Sequence, residues 1–105
     1  MGPGLLESVY EECLSLELEM RGVPVACQVH TPLFYKGHRL KNVYRADMIV
    51  DQCLLVEVKS VDGLAAVHES QVLTYLKLTN LSLGLLLNFN ETLMRKGIKR
   101  LANGL

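Results

Sequence analysis

The sequence predicts an α/β chain of the α+β kind, with one mixed sheet flanked by helices in a single domain over residues 1–105. Three observations predict it. A stretch with helical periodicity opens the chain, and three extended runs follow with no helix between them. A second helical stretch then separates the third run from another apolar one. A strand meander, a crossover helix and a further buried strand together imply a mixed sheet.

Leu6, Val9, Tyr10, Cys13, Leu14 and Met20 recur at helical spacing and predict a helix over 4–21, with Gly22 and Pro24 as its stop. Residues 25–35 and 38–50 read as extended, with "YKGHR" as the turn between them. Residues 53–61 are the third strand. "VDG" (61–63) breaks it, and Asp62 is placed to cap the next helix, which runs to Thr79. "LSLGLLLNF" (81–89) is an unbroken apolar run, the pattern of a strand buried on both faces. A short basic helix is expected to close the chain, from Glu91 to Ala102.

With 105 residues the chain can form one core, and at 50% hydrophobic residues it is not a disordered chain. The 11 acids balance 11 bases, so nucleic-acid binding must rest on a local patch rather than on net charge. Glu7, Glu11, Glu12, Glu17 and Glu19 crowd the start; Arg95, Lys96, Lys99 and Arg100 crowd the end. No apolar stretch reaches the roughly 18 residues of a membrane span. The opening residues lack the basic-then-apolar pattern of a signal peptide. Cys13, Cys27 and Cys53 are odd in number, widely spaced and set among apolar residues, which suggests reduced, buried thiols in a cytoplasmic protein. There is no CxxC pair to suggest a cysteine-ligated zinc or iron–sulfur site. Nor does any cysteine sit at a strand-to-helix turn suited to a nucleophile.

The run "LLVEVKSV" (54–61) places two charges in a buried strand. Residues two apart share a strand face, so Cys53, Leu55, Glu57 and Lys59 lie on one side. Burying an unpaired charge is costly, so something must compensate. One reading is a Glu57–Lys59 ion pair at a sheet rim. The other is a metal site, in which a carboxylate binds a divalent cation and the ammonium positions water or stabilises developing charge.

A metal site needs further ligands, and Asp47 lies amid apolar neighbours on the preceding strand. A two-residue loop at Asp51-Gln52 would set Asp47 opposite Val56, on the wrong face. A three-residue loop, Asp51 to Cys53, sets it opposite Glu57, as a bulge would, and this register is the one expected. Two carboxylates so close repel unless a cation or a proton lies between them. Asp47 as a plain rim residue is the alternative. Glu7 lies at the border of the first helix's apolar arc, where it can reach over the sheet; its alternative role is first-turn electrostatics. Glu11, Glu12 and Glu19 fall on the polar arc.

"GLLESVY" (4–10) resembles the G-x-x-E-x-x-Y signature of the GxxExxY protein family, and "RADMIV", "EVKS", "HESQVLTYLKL" and "GLLLNFN…GIKRLANGL" follow in that family's order. The family is assigned to the PD-(D/E)XK nuclease superfamily, so the resemblance implies a restriction-endonuclease-like α-β-β-β-α-β core. It implies a catalytic set of Asp47, Glu57 and Lys59. It also implies a Mg²⁺ or Mn²⁺ site made by Glu7, Asp47, Glu57 and the Val58 carbonyl. Gln71 and Tyr75 resemble the Q-x-x-x-Y motif of recombination-type exonucleases, with His68 on the same helical stripe, expected behind the metal's own ligands or at the surface. Lys96, Lys99 and Arg100, with Arg95, would touch flanking phosphates, or else form a solvated helix face. The implied partner is nucleic acid, DNA by expectation, with no membrane and with a homodimer plausible. Ala46 stands where the superfamily's name has proline. Many relatives carry a further helical segment before the "GPG" equivalent, so the chain is expected to be short there or to rely on a partner. The rival readings are a catalytically silent nucleic-acid- or protein-binding module of the same fold, and a structural or oligomerisation protein.

Overall fold

A computed structural model describes residues 3–89 and 97–102, with side chains from residue 6 onward. The elements in chain order are α1 (Pro3–Met20), β1 (Val25–Tyr35), β2 (His38–Val50), β3 (Leu54–Lys59), α2 (Ala66–Thr79), β4 (Leu83–Asn88) and β5 (Ile98–Ala102). The strands form one mixed sheet in the order β1-β2-β3-β4-β5. β1–β2, β2–β3 and β4–β5 are antiparallel, and β3–β4 is parallel. This is the α+β fold expected, with α2 as the crossover between the two parallel strands.

Local chemistry sets the joints. Pro3 opens α1, where its missing N–H is no loss. Gly22, at φ 76°, ends it in a Schellman turn: Val23 N–H donates to Leu18 O at 2.9 Å and Gly22 N–H to Glu19 O at 3.0 Å. Lys36 and Gly37, both left-handed, make the tight β1–β2 turn. α2 begins at Ala66, and the imidazole of His68 caps it by accepting the Ala65 N–H at 2.9 Å. The cap is therefore not Asp62, because the helix starts four residues beyond it.

Each face of the sheet carries a core. Leu33, Tyr44, Ala46, Leu55, Leu86 and Leu101 pack with Val72 and Leu76 of α2. Met48, Val50, Val56, Val58 and Leu87 pack on the other face with Tyr10, Leu14 and Leu18 of α1. Gly84 lets α2 approach closely, since a Cβ there would stand 3.2 Å from Val72 Cγ1. β4 is covered on both faces, as its continuous apolar run required.

Two expectations need correction. The expected closing helix is not formed over 98–102: that segment is β5, paired to β4 from Leu83↔Ala102 to Leu87↔Ile98. Pairing an otherwise open β4 edge and burying Leu101 outweigh the helical reading of this basic run. Residues 91–96 lie outside the described residues. The three thiols are exposed, not buried. Cys13 is on the outward side of α1, Cys27 on the sheet-edge strand β1, and Cys53 in a turn. Among the described residues, no helix is long and apolar enough to cross a membrane.

Candidate active site

The site grows from the β2–β3 hairpin. Residues 51–53 form its three-residue turn, with Asp51 and Gln52 at φ 52° and 62° and Cys53 N–H donating to Val50 O at 3.1 Å. That turn fixes the register Val50↔Leu54, Ile49↔Leu55 and Met48↔Val56. The next step of the same register sets Asp47 across from Glu57, as the three-residue loop required. The ladder ends at Met48–Val56, and the side chains take over. Asp47 Oδ2 accepts the Val58 N–H at 2.9 Å, and the Asp47 N–H approaches Glu57 Oε1 at 3.4 Å.

The strand alternation of β2 breaks at this point. Ala46 belongs to the core under α2, whereas Met48 belongs to the core under α1. On β1, Gln28 stands across from Asp47 in the β1–β2 register and has a left-handed φ of 51°. A non-glycine residue so held is a local strain that the surrounding structure must impose. Here it accompanies the re-aiming of the chain that puts Asp47 into the gap between β2 and β3.

Glu57 is only 9% exposed. Burial pushes its carboxyl up to about 7, against opposing contributions from the Asp47 amide and the Lys59 charge; Glu11 and Glu7 push it further up. Glu57 and Lys59 form no salt bridge; the ion pair among the described residues is Arg21–Glu17 on the surface. A rim ion pair is therefore not the arrangement at this strand. Glu7 reaches over the sheet from α1, and its Oε2 accepts the Ser60 N–H at 3.0 Å. Val58 meets the site through its N–H, given to Asp47.

Two groups escaped the sequence reading. Glu11 is buried rather than on a polar arc. Gln28 Nε2 donates to both its carboxylate oxygens, at 2.8 and 2.9 Å. Burial raises the Glu11 pKa and the Gln28 bond opposes the rise; the Asp47 charge raises it and Arg45 lowers it. Its one signal was its place a single turn after Glu7, on the same helical stripe. Asn88, fully buried, exchanges two 3.0 Å hydrogen bonds with the Val61 backbone. It pins the chain just beyond Lys59, which it faces across β3–β4. Nothing in an apolar strand pattern announced that role.

The remaining candidates are dispersed. Tyr75 is half-buried and stacks on Tyr44, with centroids 3.7 Å apart and planes at 9°. Gln71 is exposed and shares with Tyr75, Val67, Ser70 and Thr74 a hollow of about 200 Å³. His68 serves as the α2 cap. Lys99 and Arg100, adjacent on β5, point to opposite faces and do not form one basic helix face. Lys96 and Arg95 lie outside the described residues.

Among the described residues, no three His, Cys, Asp or Glu side chains are grouped closely enough to hold one metal ion. The Asp47–Glu57 pair nonetheless suits a small hard cation. Mg²⁺ is commonly bound by one or two carboxylates, with water and substrate phosphate completing the shell. Buried Glu57 and half-buried Asp47, with Glu7 and Glu11 adding negative charge near Glu57, offer the charge such an ion would neutralise.

A mixed sheet with an acid pair and a lysine where its central strands part defines the restriction-endonuclease-like class. The chain belongs to the PD-(D/E)XK nuclease superfamily, whose family model matches residues 1–101. No curated protein matches the chain significantly. No solved structure does either.

Proposed function

We propose that the protein is a metal-dependent phosphodiesterase acting on nucleic acid, most readily DNA. The observation that carries this reading is the meeting of Asp47 and Glu57 across the open end of the β2–β3 ladder, in a chain of this superfamily. The Gly4, Glu7 and Tyr10 spacing supports a place in the GxxExxY branch.

Asp47 and Glu57 would hold Mg²⁺ or Mn²⁺, with the Val58 carbonyl and, once its side chain swings from the Ser60 N–H toward the pair, Glu7 completing the protein's share. A divalent ion bound there supplies Lewis-acid polarisation of the phosphate and acidifies the attacking water. The protein's own groups do the rest. The Val58 N–H holds the Asp47 carboxylate in one orientation. Lys59, with Asn88 and the pinned Val61 backbone beside it, orients the water or offsets charge on the pentacovalent phosphorus. Gln71 and Tyr75 border a hollow on α2 where a strand would lie, and either Lys99 or Arg100, which point to opposite faces of β5, would meet flanking phosphates.

A silent binding module of the same fold is the second reading, favoured by the absence of a three-acid cluster among the described residues. One experiment separates the two. Wild type, Asp47→Ala and Lys59→Ala are titrated with Mg²⁺ and Mn²⁺ against mixed DNA and RNA substrates. Cleavage by wild type that both variants lose supports the enzyme. Cleavage that persists in both variants removes it, and binding without cleavage by wild type supports the module.

A further inference from the structure

α1 presents two apolar faces, and the sheet uses one of them. Tyr10, Leu14 and Leu18 face the core beneath, while Glu7 and Glu11 reach Ser60 and Gln28 from the same side. The opposite side carries Leu6, Val9, Cys13, Leu16 and Met20. Their spacing is three, four, three, four, the a/d repeat of a coiled-coil seam. At about 100° per residue they fall within an arc of roughly 80°.

All five face water. Leu6 is 45%, Val9 46%, Leu16 58% and Met20 75% exposed, and Cys13 is exposed as well. Over two heptads the seam runs about 21 Å. Single exposed apolar residues are ordinary, but a continuous row of this length is a contact surface.

The borders of the row decide what it can bind. Glu12 and Glu19 lie along one border and Glu17 along the other, at the positions that set partner choice in paired helices. Glu12 and Glu19 are exposed, and Glu17 is held by Arg21 at 3.1 Å. A second copy of α1 would set acid against acid in either orientation. An anionic membrane surface would be repelled for the same reason.

We infer that α1 docks a helix of another protein, one with an apolar a/d seam bordered by Lys or Arg. The inference is independent of the nuclease reading, because the seam lies on the side of α1 away from Asp47 and Glu57. Two heptads are short for a coiled coil, so the contact is a reversible one.

The test uses the full chain with Cys27→Ser and Cys53→Ser, leaving Cys13 as the reporter thiol. Two synthetic peptides are compared, both with Leu and Ile at a and d, one with Lys and the other with Glu at e and g. The Lys peptide is expected to slow Cys13 alkylation by about tenfold, an effect that added salt weakens, whereas the Glu peptide does nothing. Leu16→Glu should abolish protection without altering the circular dichroism, since Leu16 packs outward. Reversing Glu12 and Glu19 to Lys should transfer protection from the Lys peptide to the Glu peptide. Equal protection by both peptides, protection by neither, or Cys13 already shielded by self-association in sedimentation would each overturn the inference. So would protection of Cys13 by anionic phosphatidylserine vesicles in place of the Lys peptide.

Discussion

Asp47 and Val58 are joined by a 2.9 Å hydrogen bond from the Val58 N–H to Asp47 Oδ2, across the gap where β2 and β3 have stopped pairing. The aspartate thus replaces a ladder bond with a side chain, and its charge is tied to the geometry of the split. Structure and charge can be separated by mutation. Asp47→Asn keeps an acceptor oxygen for the Val58 N–H, so thermal stability should change little while cleavage falls by at least about a hundredfold. Asp47→Ala also leaves that N–H without its acceptor and should lower stability by about 1–3 kcal/mol. Parallel melting curves and nuclease assays check this; loss of folding in the Asn variant would refute the division of roles.

Glu57 makes stability depend on pH in a direction opposite to that of a salt-bridged acid. Its folded pKa of about 7 lies above the ordinary value of 4.5. Between those values the folded chain keeps a proton that the unfolded chain releases. Its contribution to stability is therefore intact below pH 4.5 and declines as pH rises toward 7, by about 3 kcal/mol in full. Glu57→Gln should flatten that slope and melt higher than wild type at pH 8 in chelator. Mg²⁺ should raise the wild-type melting temperature at pH 8 and leave that of the variant unchanged. Urea unfolding across this range reads both effects, and an unchanged slope in Glu57→Gln would remove the assignment.

The Tyr44 hydroxyl is buried with no hydrogen-bond partner among the described residues. Tyr44→Phe should therefore be neutral or stabilising by about 1 kcal/mol, since it removes an unsatisfied group and keeps the stack on Tyr75. Tyr75→Ala breaks that stack and should destabilise by about 2 kcal/mol. Chemical denaturation of both variants tests the pair. A loss of activity in Tyr75→Ala bears on nucleic-acid contact only at temperatures where the variant is folded.

Gln52 is one of two consecutive left-handed residues in the β2–β3 turn, at φ 62°. Gln52→Gly turns the pair into Asp-Gly, the preferred chemistry for such a turn, and should stabilise by about 1 kcal/mol. Calorimetry measures it. A lower melting temperature would mean that the turn does not hold the register Asp47 depends on.

The sequence made the fold and the acid pair readable for different reasons. Helical periodicity, the "YKGHR" turn and the unbroken β4 run each carry their own local signal, and the observed elements follow them closely. The Asp47–Glu57 meeting was readable because a hairpin register depends only on loop length. The misses are tertiary. β5 is a strand because β4 offers an edge, which "IKRLA" does not say by itself. Glu11 looked solvated because its partner, Gln28, lies on another element and turns toward it only through a left-handed backbone. The cysteines looked buried because their chain neighbours are apolar, but one lies on a helix's outer side, one on an edge strand and one in a turn.

The two acids lie ten residues apart on one hairpin, whereas Leu86, whose strand lies beside Glu57, arrives only after the α2 crossover. We expect the nascent chain to bring the carboxylates together early, while water still surrounds them, and to seal them late when the parallel strand docks. Drying an already assembled pair then falls on the final step of folding. Refolding should be fastest in mild acid, or with Mg²⁺ present at neutral pH, so the speed of refolding would itself report on what sits between the two acids.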